Sequence, residues 1–281
     1  MPIQFEDDEL QSLLSDLPII YWRNVVTAGI VSSDTQDPSF PISNVANSSL
    51  ALLWKQDITD SPLALPDFIT IDTTGLGPIN YIAIAGHNFS VADVTVALMG
   101  SSGAGLGSPL HQDSPPEGEF VTGFRPTDNG PIIFMFWEVE NAVFRIMINN
   151  IGTTPAEVAV IYAGQYTVLE EGIQADHTPL PLGKVNDFVL GQSENGSFLG
   201  RIEIGSWAES PATISNLSKD WIRNELLDFL DFAAEEPFFW AWSPFTYPDE
   251  VAFAFLDNDP RPVFDIDGYG SITLGMKGVI E

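Results

Sequence analysis

The chain has 281 residues, 44% of them hydrophobic and 17% charged, so it can bury real cores and does not have a disordered composition. Its 39 acids against 10 bases give a formal charge of −29, which excludes nucleic-acid binding by phosphate neutralisation and docking on anionic membranes. With no cysteine, disulfides, thiolate nucleophiles and Cys-ligated metals are excluded as well. The acids are spread evenly, 19 acids and 4 bases in residues 1–165 against 20 and 6 in residues 166–281, so no acidic tail exists. Glu6-Asp7-Asp8-Glu9 is neither the basic nor the apolar part of a signal peptide. No apolar run reaches the roughly 18 residues that span a bilayer, and the expectation is a product made and folded in the cytoplasm.

Residues 1–18 read as an N-terminal helical arm. Leu10, Leu13, Leu14 and Leu17 recur at helical spacing behind an acidic first turn, and Pro18 ends the segment. From Ile19 the period changes to two. Phe68-Ile69-Thr70-Ile71-Asp72, Tyr81-Ile82-Ala83-Ile84-Ala85 and Val94-Thr95-Val96-Ala97-Leu98 alternate between turns of Gly, Pro, Asn and Asp, as antiparallel strands do. Ile132 to Trp137, Val143 to Ile148 and Glu157 to Tyr162 continue the series. Several are apolar on both faces, as expected when one face fills a sandwich and the other meets a neighbour. Gly100 to Gly118, rich in Gly, Ser and Pro, reads as a long loop.

A boundary falls between Gly164 and Pro181, which divides the chain into a sandwich over 19–168 and a β-rich assembly domain over 169–281. In the second part, Asp187-Phe188-Val189-Leu190 and Gly200-Arg201-Ile202-Glu203-Ile204 are strands, the latter with Ile facing in and Arg and Glu facing out. One helix is expected near 218–232. Ser218 can cap it, Leu217 and Ile222 occupy staple positions, and Ile222, Leu226, Phe229 and Leu230 share a face. Aromatic strands at Phe238 to Trp242 and Val251 to Phe255, and a last one from Ser271 to Lys277, complete a mainly β chain.

Chemistry-bearing constellations are few. The three histidines, His87, His111 and His177, are far apart, and Gly191-Gln192-Ser193-Glu194-Asn195 lacks the final glycine of a nucleophile elbow. Enzymatic activity is therefore not expected. Asp257, Asp259, Asp265 and Asp267 are oxygen donors of the type calcium takes, but Asp-Gly and Asn-Asp-Pro are also turn chemistry, and the spacing is not that of an EF-hand loop. No other cofactor is expected. Trp54, Trp137, Trp207, Trp240 and Trp242 could be sugar platforms or core. Trp240 and Trp242, two apart on one face, could also form a subunit contact. Gly86-His87-Asn88 ends a strand and opens a loop; it is either a turn or, with Trp54, a ligand-binding rim.

Phe40-Pro41-Ile42-Ser43-Asn44-Val45, the Trp54-Lys55 step, Ile69-Thr70-Ile71-Asp72 and the Tyr81 to Asn88 run together resemble the galactose-binding-like (discoidin-type) jelly-roll β-sandwich of bacteriophage tail proteins. The likeness covers roughly residues 20–165 and is one of fold and virion context, without catalytic motifs. It implies a structural protein of a phage tail tip or distal tail. Such a protein is expected to form a homo-oligomeric ring, contact tube, hub or fibre proteins, and reside in the virion. Its anionic surface could line a channel that DNA passes without sticking. A carbohydrate-binding module or adhesin that recognises host-surface glycans is the alternative from a different class.

Overall fold

The computed structural model describes residues 3–6, 10, 16–59, 66–102, 119–140, 142–174 and 177–278. Most of the expected arm, with Leu13 and Leu14, lies outside the described residues, as do His111 and residues 103–118 of the expected loop. The chain divides into two compact units, 1–169 with 239–251, and 170–238 with 252–280. The second unit is therefore not the continuous 169–281 segment expected from sequence.

The first unit contains β1 (Ile3–Phe5), β2 (Ile19–Tyr21), β3 (Val31–Ser33), β4 (Trp54–Lys55), β5 (Asp67–Asp72) and β6 (Ile79–His87). After a four-residue helix, α1 (Phe89–Ala92), come β7 (Val94–Ser102), β8 (Glu119–Phe124), β9 (Ile132–Val139), β10 (Ala142–Asn150), β11 (Glu157–Gly164) and β12 (Tyr166–Val168). Two five-stranded sheets, ordered β1-β9-β6-β11-β4 and β3-β5-β10-β7-β8, pack face to face as a β-sandwich. Alternation decides which side chains enter. In β10, Phe144, Ile146 and Ile148 are buried while Arg145 lies outside, its guanidinium 3.8 Å over the Phe68 ring. Ile146 is paired with Ile69 on one side and Leu98 on the other, and Phe136 meets Phe144 with ring centroids 5.0 Å apart.

Residues 3–5 are strand rather than helix. Ile3, Gln4 and Phe5 pair in parallel with Ile133, Phe134 and Met135, because β9 offers a free edge of backbone donors and acceptors that a helix could not satisfy.

The doubly apolar strands have a different explanation from the one expected. A third layer of the same unit covers them. Strand β2 pairs with β12 on one side and, on the other, with Phe239 to Ala241 of a strand formed far along the chain. Tyr21 donates its hydroxyl to the Met135 sulfur at 3.2 Å and meets Tyr81 edge-on at 5.1 Å. Tyr81 itself donates to the Arg23 carbonyl at 2.8 Å. The covering surface thus comes from this chain and not from a neighbouring subunit.

The second unit contains β13 (Lys184–Gln192), β14 (Phe198–Leu217) and the helix α2, which runs continuously through Lys219–Trp221, Ile222–Leu226 and Leu227–Ala233. Strands β15 (Phe238–Ala241, the late partner of β2), β16 (Val251–Leu256), β17 (Val263–Phe264) and β18 (Gly270–Gly278) follow. Within this unit β18 lies between β16 and β14, β13 is the outer strand, and β17 pairs with β18. Ser218 caps α2 by accepting from the Trp221 amide at 3.2 Å, and Glu170 in turn accepts from the Ser218 amide and hydroxyl at 2.7 and 2.8 Å. Ile222, Leu226, Phe229 and Ala233 are its buried stripe, and the middle turn is a π-helix. Phe229 meets Phe238 edge-on at 5.0 Å. The expected fold class, a β-sandwich followed by a β-rich part with one main helix, is what forms.

Candidate functional site

The Gly-His-Asn run is closed, and its residues explain why. Gly86 has φ +66°, and a Cβ there would lie 2.6 Å from the Ala159 Cβ and 2.8 Å from Leu50, so only glycine fits. His87 is buried at the end of β6. Its Nδ1 accepts from the Phe89 amide at 3.3 Å, so Nε2 carries the hydrogen and donates to the Gly130 carbonyl at 2.8 Å. The ring stacks on Phe89 with centroids 4.4 Å apart. Burial lowers the His87 pKa to about 4, against the opposing pull of the Gly130 carbonyl and Asp128, so the imidazole is neutral at ordinary pH. Asn88 donates to the Pro155 carbonyl and accepts from the Glu157 amide, both at 2.9 Å. Both ends of its amide are occupied in joining two loops.

Trp54 is not a platform either. It is fully buried in the sandwich core, with its indole N–H donating to the Thr35 carbonyl at 3.2 Å. The three expected ligand residues are therefore scaffold. Trp240 is also buried, opposite Ile20 in the third layer, and presents no subunit contact. Trp242 is half-buried, donates to Glu250 at 2.6 Å and stacks on Tyr247 at 5.2 Å.

The acidic cluster resolves into turns. Asp265 exchanges backbone hydrogen bonds with Tyr269 and accepts from the Tyr269 amide through its side chain at 2.9 Å, with Gly268 at φ +91°. Asp267 is exposed at that turn, and Asp259 lies 3.5 Å from Arg261. Asp257 is held by its backbone, which donates to the Gly275 carbonyl at 3.0 Å. Among the described residues no three His, Asp or Glu side chains gather into a cage for a metal ion. The one Ser-His contact seen, Ser210 Oγ to His177 Nδ1 at 3.0 Å, has its serine buried where no substrate carbonyl could reach it.

One exposed feature was misread from sequence. Strands β13 and β14 form a hairpin closed by Ser193 to Ser197, with Gly196 at φ +78°. In its distal part the strands face solvent on both sides. Ile202 is 74% exposed and Ile204 65%, so these isoleucines do not face a core. Phe188, Val189, Leu190, Phe198 and Leu199 are exposed as well. The register sorts the faces: Val189 lies opposite Ile202 and Gly191 opposite Gly200, while Phe188 lies opposite Glu203 and Leu190 opposite Arg201. One face is purely apolar. On the other, the Arg201 guanidinium sits 5.1 Å over the Phe188 ring. The missed signal was Phe188-Val189-Leu190, a strand with no polar alternate, beside a glycine-bearing turn.

A smaller exposed feature lies on the sandwich. Phe40 is 37% exposed, with the Lys55 ammonium 5.6 Å over its ring and held 3.1 Å from Glu157.

No family model matches the chain. No curated protein matches it either. Among solved structures it is similar to a pectin-binding carbohydrate-binding module, with TM-score 0.35, 11% identity, and 50% of this chain against 91% of that one covered. A family 32 carbohydrate-binding module from Clostridium perfringens NanJ, in complex with galactose, gives TM-score 0.36 and 13% identity over 54% of this chain and 100% of that one. A chitosan-binding module from a Paenibacillus sp. IK-5 chitosanase/glucanase gives TM-score 0.35 and 14% identity over 50% and 98%.

Proposed function

We propose that this chain is a structural protein that works by assembly, and that it does so without catalysing a reaction. The observation that supports this is the β13–β14 hairpin, apolar on both faces and exposed on both. A two-stranded ribbon is marginal in water on its own, and so large an apolar surface on a soluble chain marks a contact with another protein. The setting we take is the tip of a phage-like tail, on the resemblance of Phe40 to Asn88 to tail-protein sandwiches. A closed ring drew its support from the doubly apolar strands. With the third layer supplied by the chain itself, self-association rests on the hairpin instead. The test is to purify tailed particles from the source by density gradient and label them with antibody against this chain. Stoichiometric copies with gold at the tail tip are expected, and particles that lack the chain overturn the virion setting.

A second reading, carbohydrate binding, is favoured by the Phe40 ring beside the Lys55–Glu157 pair. An exposed aromatic face flanked by an ion pair suits the apolar face and hydroxyls of a sugar. The similar structures named above are themselves carbohydrate-binding modules. A glycan array that includes galactosides, pectin and chitosan fragments, run with the chain and with Phe40→Ala, is the check. Binding lost in the variant supports this reading, and no binding by the unmodified chain removes it.

A further inference from the structure

We infer that the apolar face of the hairpin, Val189 with Ile202, docks on the same face of a second copy of this chain across a two-fold axis. The inference rests on the assembly reading and names its first partner. Val189 and Ile202 form a direct cross-strand pair, and Gly191 opposite Gly200 extends the same face without side chains. No atom lies within 4 Å of where a Gly200 Cβ would stand, so a flat surface is open beside the pair. Ile204 and Phe198 flank it along β14.

Area and charge both select a second copy. Val189, Phe198, Ile202 and Ile204 together expose roughly 500 Å², so two copies face to face would bury about 1,000 Å², the lower limit for a specific interface. A reversible dimer in the micromolar range is the expected strength. The arm from Lys184 to Ser206 carries two bases, Lys184 and Arg201, against three acids, Asp187, Glu194 and Glu203, a net −1 on a chain of −29. Two such chains repel over most of their surface but hardly at the arm. The charged pairs Phe188–Glu203 and Leu190–Arg201 lie on the opposite face, which stays in water. An isologous contact brings Ile202 of each copy close to the Val189–Ile202 patch of the other.

Light scattering on a size-exclusion column, across micromolar concentrations, tests this with the full chain. A concentration-dependent dimer is expected. It should strengthen between about 0.1 M and 1 M salt, as the Debye length falls from about 10 Å to about 3 Å and the repulsion between two anionic bodies is screened. Ile202→Glu should weaken dimerisation at least tenfold with an unchanged melting temperature, since the side chain is exposed. Leu199→Ser, which removes exposed apolar surface away from the pair, should change it little. Mixing Ile202→Glu with Ile202→Lys chains should restore the dimer. A chain that stays monomeric under all conditions overturns the self-docking and leaves assembly through a different partner standing. So does a dimer indifferent to Ile202→Glu. If the Ile202→Glu chain is incorporated into particles as the unmodified chain is, the assembly reading itself fails.

Discussion

Phe239 meets Tyr162 edge-to-face, with ring centroids 5.5 Å apart, and joins a strand from late in the chain to the outer surface of the sandwich. Both rings are buried. Deleting one leaves a cavity in a layer that has no other cover, so Phe239→Ala should cost about 3–5 kcal/mol of unfolding free energy. Urea denaturation monitored by fluorescence reads it. A loss below about 1 kcal/mol would mean that the third layer is dispensable.

His87 makes stability depend on pH. Its folded pKa of about 4 lies below the unfolded value of 6.5. The unfolded chain therefore binds the proton first, and the stabilisation is complete above pH 6.5 and lost as pH falls toward 4. The shift corresponds to about 3 kcal/mol over that window. Urea midpoints should fall between about pH 7 and about pH 4.5, and the part due to this residue should vanish in His87→Leu. An equal slope in the variant would assign the acid sensitivity to other groups.

At Gly86 two penalties combine in one substitution. Gly86→Ala must hold φ +66° and place a methyl 2.6 Å from the Ala159 Cβ. A loss of about 2–4 kcal/mol is expected, with the purified protein melting several degrees lower. Gly75→Ala is the control, since it also has positive φ (+80°) but open space around it, and should lose less.

Asp16 gathers the 243–246 segment. Its carboxylate accepts from Ser243, from Thr246 and from the Phe245 amide at 3.0 Å. Burial would raise its pKa, but the hydrogen bonds outweigh burial and leave it below the usual 3.8. The stabilisation is present above that value and lost as pH falls through the lowered pKa. Asp16→Asn should be less stable near neutral pH and lose less than the unmodified chain on further acidification, which paired thermal melts at neutral and acid pH would read.

Helix α2 offers a local test. Ser218→Ala removes the acceptor for the Trp221 amide and should destabilise by about 1 kcal/mol, while Ser218→Asp should retain most of the capping. Denaturant midpoints of the two variants discriminate between capping and a general effect of changing Ser218.

The strands of the sandwich were legible because alternation at Ile69, Ile71, Phe144 and Ile146 is a local property of any half-buried strand. The cap at Ser218 was legible for the same reason. The sites were not. Trp54, His87 and Asn88 have the right chemistry for a rim, but whether a tryptophan is open or buried depends on what packs over it, and here Thr35, Gly130 and Pro155 arrive from distant segments. Ile202 failed in the opposite direction. Alternation beside Arg201 and Glu203 reads as an inward isoleucine, yet periodicity says only that residues share a face, not that the face has a core to meet.

By itself, the sequence determined the mainly β class, the absence of thiol chemistry, the anionic character and the capped helix, all of which follow from composition and short-range spacing. Only the tertiary structure decided what lies on either side of each strand. It placed Phe239 over Tyr162, closed the Gly-His-Asn turn, and left Val189 and Ile202 uncovered. Burial depends on contacts between residues far apart in the chain, and local pattern carries no record of which partner arrives or whether one arrives at all.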